Sequence, residues 1–410
     1  MARYIQRIDS VVPYTQQKVE IDLQGRNLIL TGGNGCGKTS LLNELSDVLI
    51  QRIIERENYS IDYIKGRIKK EKEYLSEKSV TDSLYAYQVK EISQWEKKLE
   101  FASKKCLEIS SMEKFVTRFH EKKAVLSFYK AIRDADIEAS ISSVSKNVLK
   151  KRESELKEQT TSSTMFEQYL VSNKTSQAYA ESPSIDNDLP KANAIQEWFN
   201  KLEEDFQKLF EDKTLSLVFD SEEQAFFINQ LGKQPFRFQN LSSGFSSILS
   251  VYADLLMKVE LREVPPSELD GVVFIDEIDA HLHVSLQKKI LAFLAEAFPQ
   301  VQFIVTTHSP FVVSSVNNAV IYDMSRCEQI QDLSMYSYDA ILEGLFDITP
   351  ISEILKNKII SLHKIAQSQS PDINDLSELV NEVSPYESKL DEESAFYLQN
   401  ARLVINKARR

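Results

Sequence analysis

Chain breakers are scarce. Among 410 residues there are ten glycines and eleven prolines, with no proline between Pro13 and Pro183 and only Gly66 between Gly37 and Gly232. A stretch so poor in breakers reads as mostly helical. The three cysteines, at 36, 106 and 327, are odd in number and lack metal-ligand spacing, so a disulfide framework is excluded and a reducing, cytoplasmic location is expected. No apolar run approaches the ~18 residues that a membrane helix needs. The opening MARYIQRIDSVVPY lacks an apolar secretory core. Net positive charge is also missing: the formal charge is −12, which opposes general binding to polyanions. Two locally basic stretches, residues 65–72 and 146–157, read as solvated helix faces of mixed charge.

The few glycines are concentrated. Gly32, Gly33, Gly35 and Gly37 fall within six residues, which implies a loop that bends tightly or approaches something closely. Before it, residues 3–9 and 18–23 read as short strands and 27–31 as a buried one; a helix is expected from Ser40 onward. Apolar residues then recur at three- and four-residue steps through Ile53, Ile64, Ile68 and Leu75, and again through Val89, Ile92, Leu99, Ala102 and Cys106. The pattern predicts two long amphipathic helices in an antiparallel hairpin, either a coiled coil or a plain helical subdomain. A returning strand is expected at 124–131, polar helices over 133–185, and a loop at 182–191. A helix at 195–210, strands at 215–218 and 225–229, an apolar strand at 271–275, a helix at 285–298 and a buried strand at 301–306 follow. Alternating helices and apolar strands argue an α/β fold with a mixed, largely parallel sheet. The expected organisation is an N-terminal lobe at 1–48, then a helical insertion at 49–122, the rest of the same domain at 123–334, and a helical appendage at 335–410.

Four motifs carry chemistry. Gly32, Gly33, Asn34, Gly35, Cys36, Gly37, Lys38 and Thr39, followed by Ser40, fit the phosphate-loop pattern between a buried strand and a helix start. There the backbone amides would cradle phosphates, Lys38 would reach the β- and γ-phosphates of ATP, and Thr39 would ligate Mg²⁺. The apolar strand at 272–275 ends in Asp276, placed to hold Mg²⁺, and Glu277, placed to polarise a water as general base. His308 ends the next strand, on the phosphate side of such a sheet. Ser242 and Gly244, in Leu241-Ser242-Ser243-Gly244-Phe245, open a helix and suit an anion; read alone, Ser243 or Ser246 would be an ordinary cap. His281 and His283 do not read as metal ligands.

Together and in this order these motifs resemble the ABC ATPase superfamily: Walker A at 32–39, signature at 241–245, Walker B at 276–277, D-loop at 279–283 and switch histidine His308. The run 276–283, the TTHSP at 306–310 and the helical insertion are similar to the SMC, RecF and OLD-like branch. The resemblance implies catalytic Glu277 and His308, and heads that pair around two ATP molecules as a homodimer or higher oligomer, with Ser242 and Gly244 facing the partner's γ-phosphate. Phe245 stands where Gln or Glu is usual, and Ser243 where Gly is common. No glutamine fits the Q-loop, and Tyr14 is a weak candidate to stack on adenine. The tail 336–367 resembles stand-alone ATPases of bacterial anti-phage systems of the PARIS, Septu and retron-associated types, which implies a sensor and scaffold holding a separate nuclease or toxin. The alternative is a RecF-like or zinc-hook-type repair ATPase clamping DNA. The acidic charge and the lack of a Cys-x-x-Cys hook weigh against it. Neither a membrane partner nor a transporter subunit is expected.

Overall fold

The computed structural model describes residues 3–53, 61–76, 85–103, 106–157, 160–330, 333, 336–346, 352–368, 371–390 and 392–408. Two compact units divide the chain, Met1–Tyr336 and Ser337–Arg410.

The first unit is built on a six-stranded sheet. Its strands come from far apart in sequence, so they are labelled here with the rest: β1 (Ile5–Val11), β2 (Lys18–Asp22), β3 (Asn27–Thr31), β4 (Leu107–Ile109), β5 (Ala124–Tyr129), β6 (Ser216–Asp220), β7 (Ala225–Asn229), β8 (Asp270–Ile275), β9 (Val301–Thr306), β10 (Ala319–Asp323) and β11 (Glu328–Ile330). The large sheet has the order β11-β10-β3-β9-β8-β5, parallel throughout except for β11. β3, β8, β9 and β10 are buried at every residue, the continuous apolar pattern of a parallel sheet covered on both faces. A three-stranded antiparallel sheet, β2-β1-β4, packs beside it, and β6 and β7 form a separate ribbon.

Side-chain amides stitch the first two sheets. The Gln302 carbonyl accepts from Ile5 N at 2.9 Å, while its amide donates to Ile5 O at 3.0 Å and Arg26 O at 2.8 Å. A fully buried glutamine is tolerable because its donor and acceptor are both satisfied.

The helix expected at Ser40 begins two residues earlier, as α1 (Lys38–Ile53). The insertion is two packed helices, α2 (Ile61–Ser76) and α3 (Tyr85–Ser103); the turn between them lies outside the described residues. Contacts run antiparallel, Glu71 with Gln88 and Arg67 over Trp95. Ile64, Ile68 and Ile92 are buried, but Val89 is exposed. The insertion is narrower than 49–122: β4 pairs with β1, and α4 (Met112–His120) buries Phe115, Val116 and Phe119 in the core. Short spacing hid these elements, since β4 is three residues long and borrows its stability from β1.

The reading of 133–185 as polar helices needs correction. Residues 130–145 form neither helix nor strand, α5 (Lys146–Glu155) follows, and α6 (Phe166–Glu181) is largely buried. Two buried acids in and beside this stretch are well paired. Glu167, fully buried, accepts from Ser140 N, Phe226 N, Arg237 and Gln239. Asp254 accepts from Ser162 N at 2.6 Å, Lys258 at 2.6 Å and the Tyr129 hydroxyl. Each charge is repaid by several donors, which makes burial affordable.

α7 (Leu189–Phe210) is capped by Asp188 and precedes the ribbon; α8 (Ser243–Arg262) leads to β8. The single helix expected at 285–298 is broken into Val284–Gln287 and Ile290–Ala297. Charges on the two basic stretches are mixed as expected: Arg67 pairs with Glu71, Lys72 with Glu96, and Lys150 with Glu263. Cysteines 36, 106 and 327 form no disulfide with one another.

The second unit is helical, with its own core of Ile359, Leu362, Leu376, Val380, Leu398, Ala401 and neighbours. Among the described residues no helix is long and apolar enough to cross a membrane.

Candidate functional site

The parallel order β3-β9-β8 carries three loops to one edge of the sheet: 32–37 after β3, 276–280 after β8 and 307–309 after β9. Residues separated by more than 200 positions therefore meet.

The loop 32–37 turns through left-handed backbone at Gly32 (φ 132°), Gly35 (φ 78°) and Gly37 (φ 92°). A Cβ on Gly37 would lie 2.4 Å from Val12 Cγ1, and one on Gly32 would lie 2.9 Å from Ser325 Oγ. Glycine is thus required twice over at both places, by torsion and by space. Ser325, from the turn after β10, accepts from Gly33 N at 2.8 Å and supports the loop from behind. Nothing in the sequence marked it. Lys38 is buried and folds back on the loop, its ammonium donating to Gly32 O at 2.9 Å and Gly33 O at 3.0 Å, with Cys36 Sγ at 3.6 Å. Those carbonyls occupy donors that a phosphate would take. The amides of the first turn of α1 have no intrahelical acceptor, so the loop and helix start together present a positive concavity.

Thr39 Oγ1 donates to both Asp276 oxygens, at 3.1 and 3.0 Å, and Thr306 Oγ1 donates to Asp276 Oδ1 at 2.6 Å. A hydroxyl and a carboxylate in contact form a hard, oxygen-only donor set, the kind that suits Mg²⁺. Thr306 also accepts from Glu277 N at 2.7 Å and so fixes the turn after β8. Glu277 itself has φ 45°, a left-handed conformation costing about 1–2 kcal/mol for a residue with a Cβ. Its carboxylate makes no hydrogen bond with any described residue. Strain held at a residue with a free carboxylate is a mark of a functional position.

Asp279 accepts from the Thr307 hydroxyl, and Ser309 N donates to Thr307 Oγ1 at 2.9 Å, locking the two loops together. His308 stands beside them, half-buried. Burial, then the nearby Lys38 charge, hold its pKa below the ordinary histidine value against the pull of Asp279, Glu277 and Asp276. The ring is therefore neutral near pH 7, with one N–H to donate.

The signature residues open α8. Ser242 is the N-cap but its hydroxyl makes no capping bond, and both Ser242 and Ser243 are exposed. Ser246 is not a cap either: its hydroxyl accepts from Ala135 N at 2.8 Å. Gly244 is needed for packing, because a Cβ there would lie 2.7 Å from His281 O. Phe245 stacks on Phe210, with ring centroids 4.0 Å apart and planes 9° apart. Phe245→Ala should therefore lower stability, by about 1–3 kcal/mol from lost packing, and leave nucleotide affinity within about twofold. Thermal unfolding and nucleotide titration of the variant would check this.

His281 and His283 are exposed, and among the described residues no group of three His, Cys, Asp or Glu side chains is placed to hold a metal. Tyr14 is fully exposed, at the rim of a cavity of about 900 Å³ lined also by Val12, Ser40, Asn43 and Asp47. Arg133 was missed. It follows β5 on an irregular strap and reaches the carbonyls of Asp276, Glu277 and Ile278. A lone arginine in a polar stretch gave no signal of this.

A glycine loop on a helix start, a threonine–aspartate pair, an unbonded strand-end glutamate and a neutral histidine on one edge of a parallel sheet define a phosphate-loop protein. Residues 28–314 match the family described as "AAA domain, putative AbiEii toxin, Type IV TA system", and the chain belongs to it. Curated relatives include "Retron Ec83 probable ATPase" of Escherichia coli, 42% identical over 20% of this chain and 16% of that protein. "Septu protein PtuA" of Bacillus mycoides is 34% identical over 27% of this chain and 15% of that protein. "Retron Vc95 probable ATPase" of Vibrio cholerae is 31% identical over 36% of this chain and 27% of that protein. The matched part spans less than a third of the length of these relatives. Among solved structures, the SMC head domain from Thermotoga maritima aligns at 12% identity and TM-score 0.32, covering 80% of this chain and 97% of that one.

Proposed function

We propose that this chain binds and hydrolyses Mg²⁺-ATP, and that it serves as the sensor and scaffold subunit of an anti-phage system, holding or controlling a separate nuclease or toxin. The observation that carries the ATPase reading is the convergence of Lys38, Thr39, Asp276, Glu277 and His308 on one sheet edge. The likeness to retron and Septu proteins supports the biological setting.

In this reading Lys38 exchanges the carbonyls of Gly32 and Gly33 for β- and γ-phosphate oxygens, and the amides of Asn34 to Ser40 close around the phosphates. Thr39 and Asp276 hold Mg²⁺, which when bound neutralises phosphate charge and polarises the γ-phosphoryl group. Glu277 accepts a hydrogen bond from the attacking water and takes its proton as the water oxygen bonds to the γ-phosphorus. The bond from that phosphorus to the β–γ bridging oxygen breaks, and ADP leaves with that electron pair. Neutral His308 donates its N–H to the γ-phosphate, and the cavity beside Tyr14 receives the base. Ser242 and Gly244 would face a second copy's nucleotide, so ATP would close head-to-head dimers by stabilising only the closed pair.

The test is a pull-down of tagged protein expressed with its neighbouring genes, with and without ATP. A stoichiometric nuclease or toxin in the eluate is the expected result. Retention of DNA in an ATP-dependent manner, with no protein partner, would replace this reading by the repair-type clamp. The mixed ion pairs on both basic stretches favour the first outcome.

A further inference from the structure

The structure assigns to Arg133 the role of positioning residue for the base: its guanidinium holds the strained turn that aims the Glu277 carboxylate, and the strap it sits on ties that turn to the start of α8. The proposal rests on Glu277 being the base.

Arg133 Nη1 donates to Asp276 O at 2.9 Å and Glu277 O at 3.4 Å, while Nη2 donates to Glu277 O at 3.4 Å and Ile278 O at 3.1 Å. Three consecutive carbonyls therefore converge on one planar fork, an arrangement that needs the several N–H donors of a guanidinium. The carbonyl of the left-handed residue itself is held by both nitrogens. Nη1 also donates to Lys130 O at 3.0 Å and Ala131 O at 3.4 Å, which fixes the strap. Arg133 Nε is buried with no partner among the described residues. The side chain is thus placed for the turn and not for the best satisfaction of its own donors. Burial lowers its pKa to about 10, and the facing acids Asp279, Asp276 and Glu277 act in the opposite sense, so the guanidinium stays charged at neutral pH.

The two residues after Arg133 reach the other side. Ala135 N donates to Ser246 Oγ at 2.8 Å, and Ser246 Oγ lies 3.5 Å from Asp134 Oδ1. Ser246 is one turn into α8, whose Gly244 lies so near the loop beyond Glu277 that a Cβ there would come within 2.7 Å of His281 O. A shift of α8 would thus reach the base by two routes, through the strap and through the 276–281 loop. Hydrolysis would then depend on how the exposed serines at the start of α8 are engaged.

The experiment compares Arg133→Met, which keeps the stem and removes the donors, with Arg133→Lys. Steady-state hydrolysis, nucleotide binding and thermal unfolding are measured for each, alone and combined with Glu277→Gln. Arg133→Met should lower kcat at least tenfold with KM and nucleotide affinity within about twofold. Arg133→Lys should restore part of that loss, and Arg133→Met/Glu277→Gln should be no slower than Glu277→Gln, because both changes act on one group. An Arg133→Met protein with wild-type kcat, or one that loses affinity or folding in proportion to its rate, overturns the proposal. Glu277→Gln hydrolysing at the wild-type rate would instead remove the base reading itself, so the two failures are told apart.

Discussion

Replacing Glu277 by Gln should abolish ATP hydrolysis while leaving ATP binding intact. The substitution keeps size and shape and removes only the ability to take a proton, and loss of a positioned general base costs about 10²–10⁴-fold in rate. The backbone contacts that set this position, to Thr306 Oγ1 and Arg133, involve main-chain atoms and survive the change. Binding should survive too, since Lys38, Thr39 and Asp276 form a separate cluster. Phosphate release would be measured beside a nucleotide titration, and light scattering would follow association. ATP-dependent dimers that persist in the variant and dissociate in the wild type would link hydrolysis to opening. An unchanged rate would remove Glu277 from the mechanism.

The largest loss of stability from a single methyl group is expected at Gly271, where β8 runs beside β5. A Cβ there would lie 2.0 Å from Val125 O and 2.6 Å from Val125 N, and the residue has φ 130°, a torsion that other residues avoid. The obstacle is main chain inside a parallel ladder, paired Val125 to Gly271, and cannot rotate aside. Gly271→Ala should therefore cost on the order of 4 kcal/mol or more, by separating β5 from β8. Gly35→Ala is the matched control: it also has positive φ (78°) but open space, so only the torsional cost of about 1–2 kcal/mol applies. Chemical denaturation of both variants reads the difference. Equal losses would show that torsion, not the close approach of strands, fixes glycine at 271.

The parts of this fold that were legible in sequence are those dictated by local pattern. Asn27–Thr31 and Val301–Thr306 were read to the residue because runs of apolar, branched side chains admit few alternatives to a buried strand. The glycine loop was legible because four glycines in six residues serve no other purpose. What stayed hidden depends on partners remote in sequence. β4 exists only because β1 lies beside it. Residues 130–145 are held by Glu167 and Ser246, neither of which is nearby in the chain. Arg133 and Ser325 act through backbone atoms of other loops, so no side-chain pattern could announce them. Phe245 was visible as an oddity, but its explanation, Phe210, lies on another helix.

α3 packs against α1 as well as against α2. The helix whose first residues hold Lys38 and Thr39 is thus also the footing of the inserted hairpin, braced by Arg52 donating to Leu107 O at 3.3 Å. Nineteen helical residues reach about 28 Å, so a tilt of ~5° at the footing would swing the far end by roughly 2 Å. A hinge movement too small to disturb the sheet would thus be magnified along α3, away from its footing on α1.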